Sequence, residues 1–307
     1  MIEIKNIGMF FKDGGEGFSA LRDITFTIPT GAVFGFLGTN GAGKSTLMRI
    51  LCGVYPPTEG EVLIDGVKMG DSAEAKSKIF FVSDETIHFT NYTINELRDY
   101  YKNIYPSFSE DIFDRVIKTL DLPRDKKLAD FSKGMKRQAS VAVGLAACTE
   151  YLVLDEAFDG LDPAMRRLVK NVLTDEICER GATLIVSSHN LAEINDICDH
   201  AMLIYKGDLL FADDLDEIRA GFCKAQAVFK GGMPSREQLE TSGLRIMQFE
   251  QNGSVCHIVA HSGEEETLEK LKAFSPEVAE AVPLTLEEIF IYELEVRGYG
   301  ADVISED

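Results

Sequence analysis

The stretch that decides the fold of this 307-residue chain is Gly38-Thr39-Asn40-Gly41-Ala42-Gly43-Lys44-Ser45-Thr46. It fits the pattern G-x-x-x-x-G-K-S/T, in which the backbone N–H groups of a glycine-rich loop surround phosphate groups. The apolar run Val33–Leu37 precedes it and a helical run, Leu47–Leu51, follows it, which is the context that the motif requires. We expect Lys44 to reach the β- and γ-phosphates of a nucleotide and the hydroxyl of Ser45 to bind Mg²⁺.

Short apolar runs alternate with amphipathic helical stretches from residue 1 to about residue 223. This pattern predicts an α/β domain with a mostly parallel sheet covered on both faces and some antiparallel strands at the front. The expected strands are Ile24–Ile28, Val33–Leu37, Glu61–Ile64, Ile79–Val82, Tyr151–Leu154, Thr183–Val186 and Ala201–Tyr205. Residues 85 to about 150 are predicted to form a helical subdomain, with helices at Ile94–Lys102, Glu110–Leu120 and Lys133–Ala147.

The pattern changes after residue 223. Residues 224–297 predict the order β-α-β-β-α-β and a last helix, and the two middle strands join through Asn252-Gly253, a strong hairpin signal. This order is typical of a small ferredoxin-like α+β domain. Residues 298–307 form an acidic tail.

Composition excludes several classes of protein. The chain has 31 basic and 51 acidic residues, a net charge of −20, which disfavours nucleic acid as the main partner. No apolar run reaches the roughly 18 residues of a membrane span, and we see no secretory signal. The six cysteines form no C-x-x-C pair and predict free thiols in a reducing compartment. We therefore expect a cytoplasmic protein that another chain holds at the membrane.

A second chemical motif ends an apolar strand, where Tyr151–Leu154 is followed by Asp155-Glu156. Asp155 is expected to hold Mg²⁺ through water, and Glu156 to act as the general base toward the attacking water. The pair alone is a weak signal. Its position 111 residues after Lys44 makes it a strong one.

Further motifs follow in an order that resembles the ATP-binding subunit of an ABC transporter, over residues 1 to about 220. Phe131-Ser132-Lys133-Gly134-Met135 resembles the LSGGQ signature, Gly160-Leu161-Asp162 the D-loop, and Ser187-Ser188-His189 the switch histidine. Phe11 lies where an aromatic ring usually stacks on adenine, with Phe10 and Phe18 as alternatives.

The resemblance implies an ATPase that works as a head-to-tail dimer with two ATP molecules between the subunits, either a homodimer or a pair with a related chain. Ser132 and the Gly134 N–H would contact the γ-phosphate bound on the partner chain. His189 would hold the γ-phosphate and the water near Glu156, and Asp162 would connect the two sites. The cycle would drive a separate membrane permease and hold the protein on the inner face of the cell membrane.

The C-terminal region resembles the extensions of exporter subunits, which end in a helix like the one that follows Leu284-Thr285. This implies export of a drug, peptide, antibiotic or lipid rather than nutrient import. A soluble or regulatory ABC ATPase that is not coupled to transport is the alternative.

Two positions depart from the family pattern. Asp84 stands where the family places Gln as a Mg²⁺ contact, which leaves open a tolerated variant or a weakened coordination of the metal. Lys133 stands where Gly is usual, and it either adds positive charge near the opposing phosphates or points into solvent.

Six aromatic residues lie within the twenty positions 89–108, which follow Asp84 where the family receives a helix of the permease. They either line a groove for that helix or pack inside the helical subdomain. They are Phe89, Tyr92, Tyr100, Tyr101, Tyr105 and Phe108.

Overall fold

The computed structural model describes residues 1–12, 17–84, 89–230 and 232–296. The chain divides into two compact units, Met1–Ala212 and Asp213–Asp307. The sequence pattern places the corresponding boundary 11 residues later, after residue 223. Within the described ranges, none of the helices combines the length and the apolar character needed to cross a membrane.

One large sheet organises the first unit, in the order β5-β4-β1-β2-β10-β9-β3-β8-β7-β6. Its strands are β1 (Ile2–Phe11), β2 (Phe18–Ile28), β3 (Val33–Leu37), β4 (Glu59–Ile64), β5 (Val67–Lys68), β6 (Ile79–Val82), β7 (Tyr151–Leu154), β8 (Thr183–Ser187), β9 (His200–Tyr205) and β10 (Asp208–Asp214). The run from β9 to β6 is parallel, and β1 pairs antiparallel with β2 and β4.

The parallel strands are apolar along their whole length because both faces of this part of the sheet are covered. Every residue of β3, β7 and β8 is buried. The predicted parallel core with antiparallel strands at the front is confirmed. Because the carboxyl ends of parallel strands meet at one edge of a sheet, the loops after β3, β7 and β8 converge there.

The helices of the first unit are α1 (Lys44–Leu51), α2 (Ala73–Ser77), α3 (Ile94–Ile104), α4 (Glu110–Thr119), α5 (Lys133–Ala146), α6 (Pro163–Arg180) and α7 (Leu191–Ile197). Helices α3, α4 and α5 form the predicted helical subdomain. The α5 helix approaches the sheet closely at Gly144, where a Cβ atom would lie 2.9 Å from the side chain of Leu152.

The second unit contains a four-stranded antiparallel sheet in the order β12-β13-β11-β14. Its elements are α8 (Leu215–Ala220), β11 (Cys223–Val228), α9 (Arg236–Thr241), β12 (Ile246–Asn252), β13 (Val255–Ala260), α10 (Glu264–Lys272), β14 (Val278–Val282) and α11 (Leu286–Val296). The apolar core joins α9 and α10 to the sheet through residues such as Leu239 and Leu271. Ile289 and Tyr292 of α11 form a second cluster with Phe222 and Val259. The strand order is that of the predicted ferredoxin-like module.

Candidate nucleotide-binding and hydrolysis site

The phosphate-binding loop connects β3 to α1, and glycine is required at two of its positions. Gly38 has φ +151°, and a Cβ atom there would lie 2.3 Å from the carbonyl oxygen of Ile204. Gly43 has φ +114° at the N-cap of α1, and a Cβ atom there would lie 2.8 Å from the side chain of Leu21. Gly41 has φ +75° but faces open space. Steric contact with the rest of the unit therefore fixes the path of this loop.

Lys44 is a buried cation that folds back on its own loop. Its Nζ donates hydrogen bonds to the carbonyl oxygens of Gly38 at 2.7 Å and Thr39 at 3.1 Å. Burial lowers the pKa of Lys44, and the charges of Glu156 and Asp155 partly oppose that effect. A desolvated ammonium group attracts phosphate more strongly than a hydrated one does.

The other predicted residues of the loop differ in their exposure. Asn40 is exposed at the turn and Ala42 is buried. Ser45 and Thr46 are half-buried in the first turn of α1.

Asp155 follows β7 and is fully buried. Its Oδ1 accepts a hydrogen bond of 2.5 Å from the hydroxyl of Ser187, and its Oδ2 is buried without a hydrogen-bond partner in the part of the chain that is described. The same Ser187 oxygen accepts a hydrogen bond of 2.9 Å from the backbone N–H of Glu156. A buried carboxylate oxygen without a partner is costly unless a cation or water satisfies it, so this donor set fits Mg²⁺ held with Ser45.

In the sequence, Ser187 is predicted only as part of the Ser187-Ser188-His189 motif, with no separate role. The available signal was its position at the end of β8, the strand that pairs with β7.

Glu156, Asp159 and His189 converge beside Asp155. One ligand atom of each lies within 4.8 Å of those of the other two, and His189 Nδ1 is 3.8 Å from Asp159 Oδ1. Burial raises the pKa of Glu156, the charges of Asp159 and Asp155 raise it further, and Lys44 and His189 oppose them. This shift favours a carboxylate that takes up a proton, as a general base must. Asp159 was not singled out from the sequence, because a carboxylate in a loop carries no signal alone.

The signature residues begin α5. Ser132 is its exposed N-cap and accepts a hydrogen bond of 3.2 Å from the Met135 N–H. Gly134 lies against the D-loop, where a Cβ atom would come within 3.0 Å of the carbonyl oxygen of Gly160. Lys133 is exposed, and its aliphatic stem passes Gly160.

Asp162 caps the next helix. Its carboxylate accepts hydrogen bonds of 3.0 Å from the N–H groups of Ala164 and Met165 in α6. The cap fixes the end of the D-loop at the start of that helix.

Phe11, the predicted adenine contact, lies in a cluster of aromatic rings. The half-buried ring of Phe11 stacks on Phe18 at 5.5 Å and meets the edge of Tyr55 at 6.1 Å. Phe18 is 59% exposed and Phe10 44% exposed. Tyr55, which the sequence did not single out, supports Phe11 from the loop after α1.

Asp84, the third predicted metal ligand, lies just beyond β6. Its Oδ1 accepts a hydrogen bond of 2.8 Å from Nη2 of Arg49 in α1, which forms an ion pair. Sequence reasoning missed Arg49, since its partner lies 35 residues further along the chain.

The chain is similar in sequence to known ATP-binding proteins of transporters. The family model described as "ABC transporter" matches residues 21–159. The ABC transporter ATP-binding protein YtrB of Bacillus subtilis is 29% identical over 293 residues, which are 95% of this chain and 97% of that protein. The methionine import ATP-binding protein MetN 3 of Pectobacterium atrosepticum is 32% identical over 234 residues, 71% of this chain and 66% of that protein.

Solved structures show the same fold. An ATP-binding subunit of an ABC transporter is 25% identical with a TM-score of 0.63, over 71% of this chain and 92% of the other. A dimeric ATP-binding cassette bound to ADP and Pi is 23% identical with a TM-score of 0.62, over 70% of this chain and 99% of the other. Together with the matched sequences, these likenesses show that the chain carries the ATP-binding domain of the ABC transporter family and is an ATPase of that family.

Proposed function

We propose that this chain hydrolyses Mg-ATP in an ATP-driven dimer, and that it energises export through a separate membrane permease on the inner face of the cell membrane. The observation that carries the proposal is the buried Asp155 carboxylate. Its Oδ2 has no hydrogen-bond partner among the described residues, Glu156 follows it in the chain, and both carboxylates interact electrostatically with Lys44. This combination supports a function that needs a cation site, a general base and a phosphate-binding cation close together.

Each residue has a distinct role in hydrolysis. Lys44 offsets the negative charge of the β- and γ-phosphates, and the backbone N–H groups of the loop orient them. Ser45 and Asp155 would hold Mg²⁺, which supplies further charge neutralisation when it is bound. Glu156 accepts the proton of the attacking water, and His189 on the neighbouring strand end orients that water and the γ-phosphate.

The signature residues act in trans in this proposal. Ser132 is exposed at the N-terminus of a 14-residue helix, so its hydroxyl and the helix dipole are available to a phosphate on a second subunit. Gly134 packs on the D-loop, and Asp162 fixes the end of that loop. Movement of one subunit's signature is thereby transmitted to its own hydrolysis site.

The aromatic residues of the helical subdomain divide into an inner and an outer group. Tyr101 and Tyr105 pack on Phe80 at 5.3 and 5.2 Å, and burial raises the pKa of Tyr105 to about 12. We call the outer group the aromatic patch, and it consists of Phe89, Tyr92 and Tyr100. Phe89 contacts Tyr92 and Tyr100 at 5.2 and 4.7 Å, and Tyr100 is exposed while the other two rings are half-buried. Phe108 belongs to neither group and packs on Phe113 at 5.9 Å. A partly exposed aromatic cluster of this kind suits a helix from a permease.

One resemblance supports export: the C-terminal unit is similar to the extensions of exporter subunits that pair with a separate permease. The methionine import protein is also similar to this chain, over 71% of its length, so the direction of transport is decided by measurement.

Phosphate release by the purified protein with Mg-ATP tests hydrolysis. Glu156→Gln is expected to lower kcat by about 10²–10³-fold while ATP binding persists, because only proton transfer is lost. It should also trap an ATP-dependent dimer on a sizing column. Glu150→Gln is the matched control, since Glu150 is exposed and pairs only loosely with Lys78 at 3.7 Å. Hydrolysis by Glu156→Gln at the wild-type rate would show that another group is the base.

Purification from native membranes in mild detergent tests the coupling to transport. A polytopic partner should accompany the wild-type chain, and Tyr100→Ser should release it without affecting ATP binding. Val278→Ser is the control, because Val278 is an exposed apolar residue of the second unit. ATP-dependent uptake into inverted vesicles carrying that permease would support export. A protein with no membrane partner would favour the soluble or regulatory alternative.

A further inference from the structure

The Arg49–Asp84 ion pair connects helix α1, which follows the phosphate-binding loop, to the segment after strand β6. Arg49 lies on α1, five residues after Lys44, and Asp84 lies two residues beyond the end of β6. The Nη2–Oδ1 distance is 2.8 Å, and the side chains are 22% and 38% exposed. A partly buried pair of this kind is less screened by solvent and salt than a pair at the open surface.

Arg49 is also held from its other side. Its guanidinium lies over the ring of Tyr55 at 5.9 Å, and that ring contacts Phe11 edge-on at 6.1 Å. Stacking on an aromatic face restricts the planar guanidinium to one orientation. The contact thus aims Arg49 at Asp84 and connects the pair to the aromatic group next to the phosphate-binding loop.

The backbone at Asp84 is held by a second arginine. Arg137 of α5 is buried, and its Nη1 and Nη2 donate hydrogen bonds to the carbonyl oxygens of Ser83 at 2.5 Å and Asp84 at 3.0 Å. Arg137 lies five residues after Ser132, the N-cap of the same helix. The signature helix α5 is therefore hydrogen-bonded to the segment just after β6, and Arg49 of α1 binds the same segment through Asp84.

We propose that Asp84 is the anchor of this ion pair rather than a ligand of Mg²⁺, and that Arg49, Asp84 and Arg137 form a clamp between the phosphate-binding helix α1 and the signature helix α5. The clamp sets where the N-terminus of α5 stands relative to the phosphate-binding loop of the same subunit. All three are positioning residues. Their catalytic effect rests on the proposed function, in which that N-terminus reaches the nucleotide of a second subunit.

Charge explains why aspartate suits this position. With glutamine only the arginine of the pair would be charged, whereas an ionised aspartate adds the attraction between two opposite full charges. Arg49 binds Oδ1 of the Asp84 carboxylate, and Arg137 binds the Asp84 backbone carbonyl. The two contacts hold the carboxylate toward α1.

A double-mutant cycle in the nucleotide-free, magnesium-free full chain tests the pair itself. Arg49→Met and Asp84→Asn are each expected to lower Tm by about 2–4 °C, and the double variant should fall no further than the worse single variant. The control cycle uses Arg124→Met and Asp114→Asn, an Arg–Asp pair of 2.7 Å whose side chains are 33% and 54% exposed. This control should show no measurable coupling. Additive effects at Arg49 and Asp84 would overturn the proposal.

Steady-state kinetics separates positioning from metal binding. Asp84→Asn and Arg49→Met should each lower kcat by about tenfold, with the KM for ATP and the half-saturating Mg²⁺ concentration changed by less than about twofold. Arg49→Lys keeps the charge but loses the planar group stacked on Tyr55, so it should restore only part of kcat. A rise of about tenfold in the Mg²⁺ requirement of Asp84→Asn, without one in Arg49→Met, would identify Asp84 as a metal ligand and overturn the proposal.

The two tests also separate this inference from the proposed function. If the wild-type protein releases no phosphate, the proposed function fails while the Tm cycle still decides whether the clamp exists. If hydrolysis is intact and the cycle is additive, the clamp alone fails.

Discussion

Ser187→Ala would remove one hydroxyl from the centre of the hydrolysis site. That hydroxyl donates to Asp155 Oδ1 at 2.5 Å and accepts from the Glu156 N–H at 2.9 Å. Ser187 and Asp155 are both fully buried, and Oδ2 of Asp155 already lacks a partner within the described residues. The substitution therefore leaves a buried carboxylate without its Ser187 hydrogen bond and a backbone N–H without its acceptor.

The expected loss in free energy of unfolding follows from these two groups. A hydrogen bond to a charged group contributes about 1.5–3 kcal/mol, and a buried N–H without a partner costs about 1–3 kcal/mol. With partial relaxation we expect a total of about 3–5 kcal/mol, which lowers Tm by roughly 10 °C at ~2–4 °C per kcal/mol. The value of kcat should fall as well, because Glu156 loses the contact that holds its backbone.

Urea unfolding of the nucleotide-free protein, followed by far-UV circular dichroism, measures this loss. Ser140→Ala is the matched control, because within the described ranges the Ser140 hydroxyl bonds only to the carbonyl oxygen of Lys136 in its own helix. Its removal should change stability by less than about 0.5 kcal/mol. A Ser187→Ala protein within that same margin of wild type would refute the assignment of Ser187 as the support of Asp155.

Three further predictions concern the loop, the sheet and the second unit. Gly38→Ala should abolish binding of a fluorescent ATP analogue because its Cβ collides with backbone, whereas Gly41→Ala, in open space, should cost only about 1 kcal/mol of stability. Burial opposes ionisation of Asp65, but hydrogen bonds from Lys78 and other donors outweigh it and lower its pKa below the unfolded value of about 4. The stability that Asp65→Asn loses at neutral pH should therefore shrink as pH falls below about 4, seen as converging urea midpoints. Thr285→Ala removes the hydroxyl that accepts the Glu288 N–H at 3.2 Å and should cost about 1 kcal/mol by thermal unfolding, and an unchanged Tm would contradict this.

The phosphate-binding loop was predictable because its chemistry is local. The glycines, Lys44 and Ser45 are consecutive, and the strand and helix on either side follow from short-range patterning. The ferredoxin-like order was predictable for a similar reason, since Asn252-Gly253 fixes a hairpin between neighbouring strands.

The roles of Arg49, Ser187 and Asp159 were not predictable in the same way. Each side chain meets its partner through a contact between elements, and the distance along the chain is 35 residues for Arg49 with Asp84 and 32 for Ser187 with Asp155. Periodicity and local motifs contain no information about such pairs. The sequence therefore offered Asp84 as a metal contact by analogy, while the structure supplies the ion pair from which we infer its role as an anchor.

The sequence by itself determined the order of the elements, the P-loop, the two carboxylates after β7 and the existence of two kinds of domain. These depend on residue types and spacings along one segment at a time. The tertiary structure decided which side chains support those motifs, which aromatic rings face outward and how α5 is attached to the end of β6. Those outcomes depend on burial, because a polar group removed from water must find a partner in space. Only the packed sheet and helices determine which partners lie within reach.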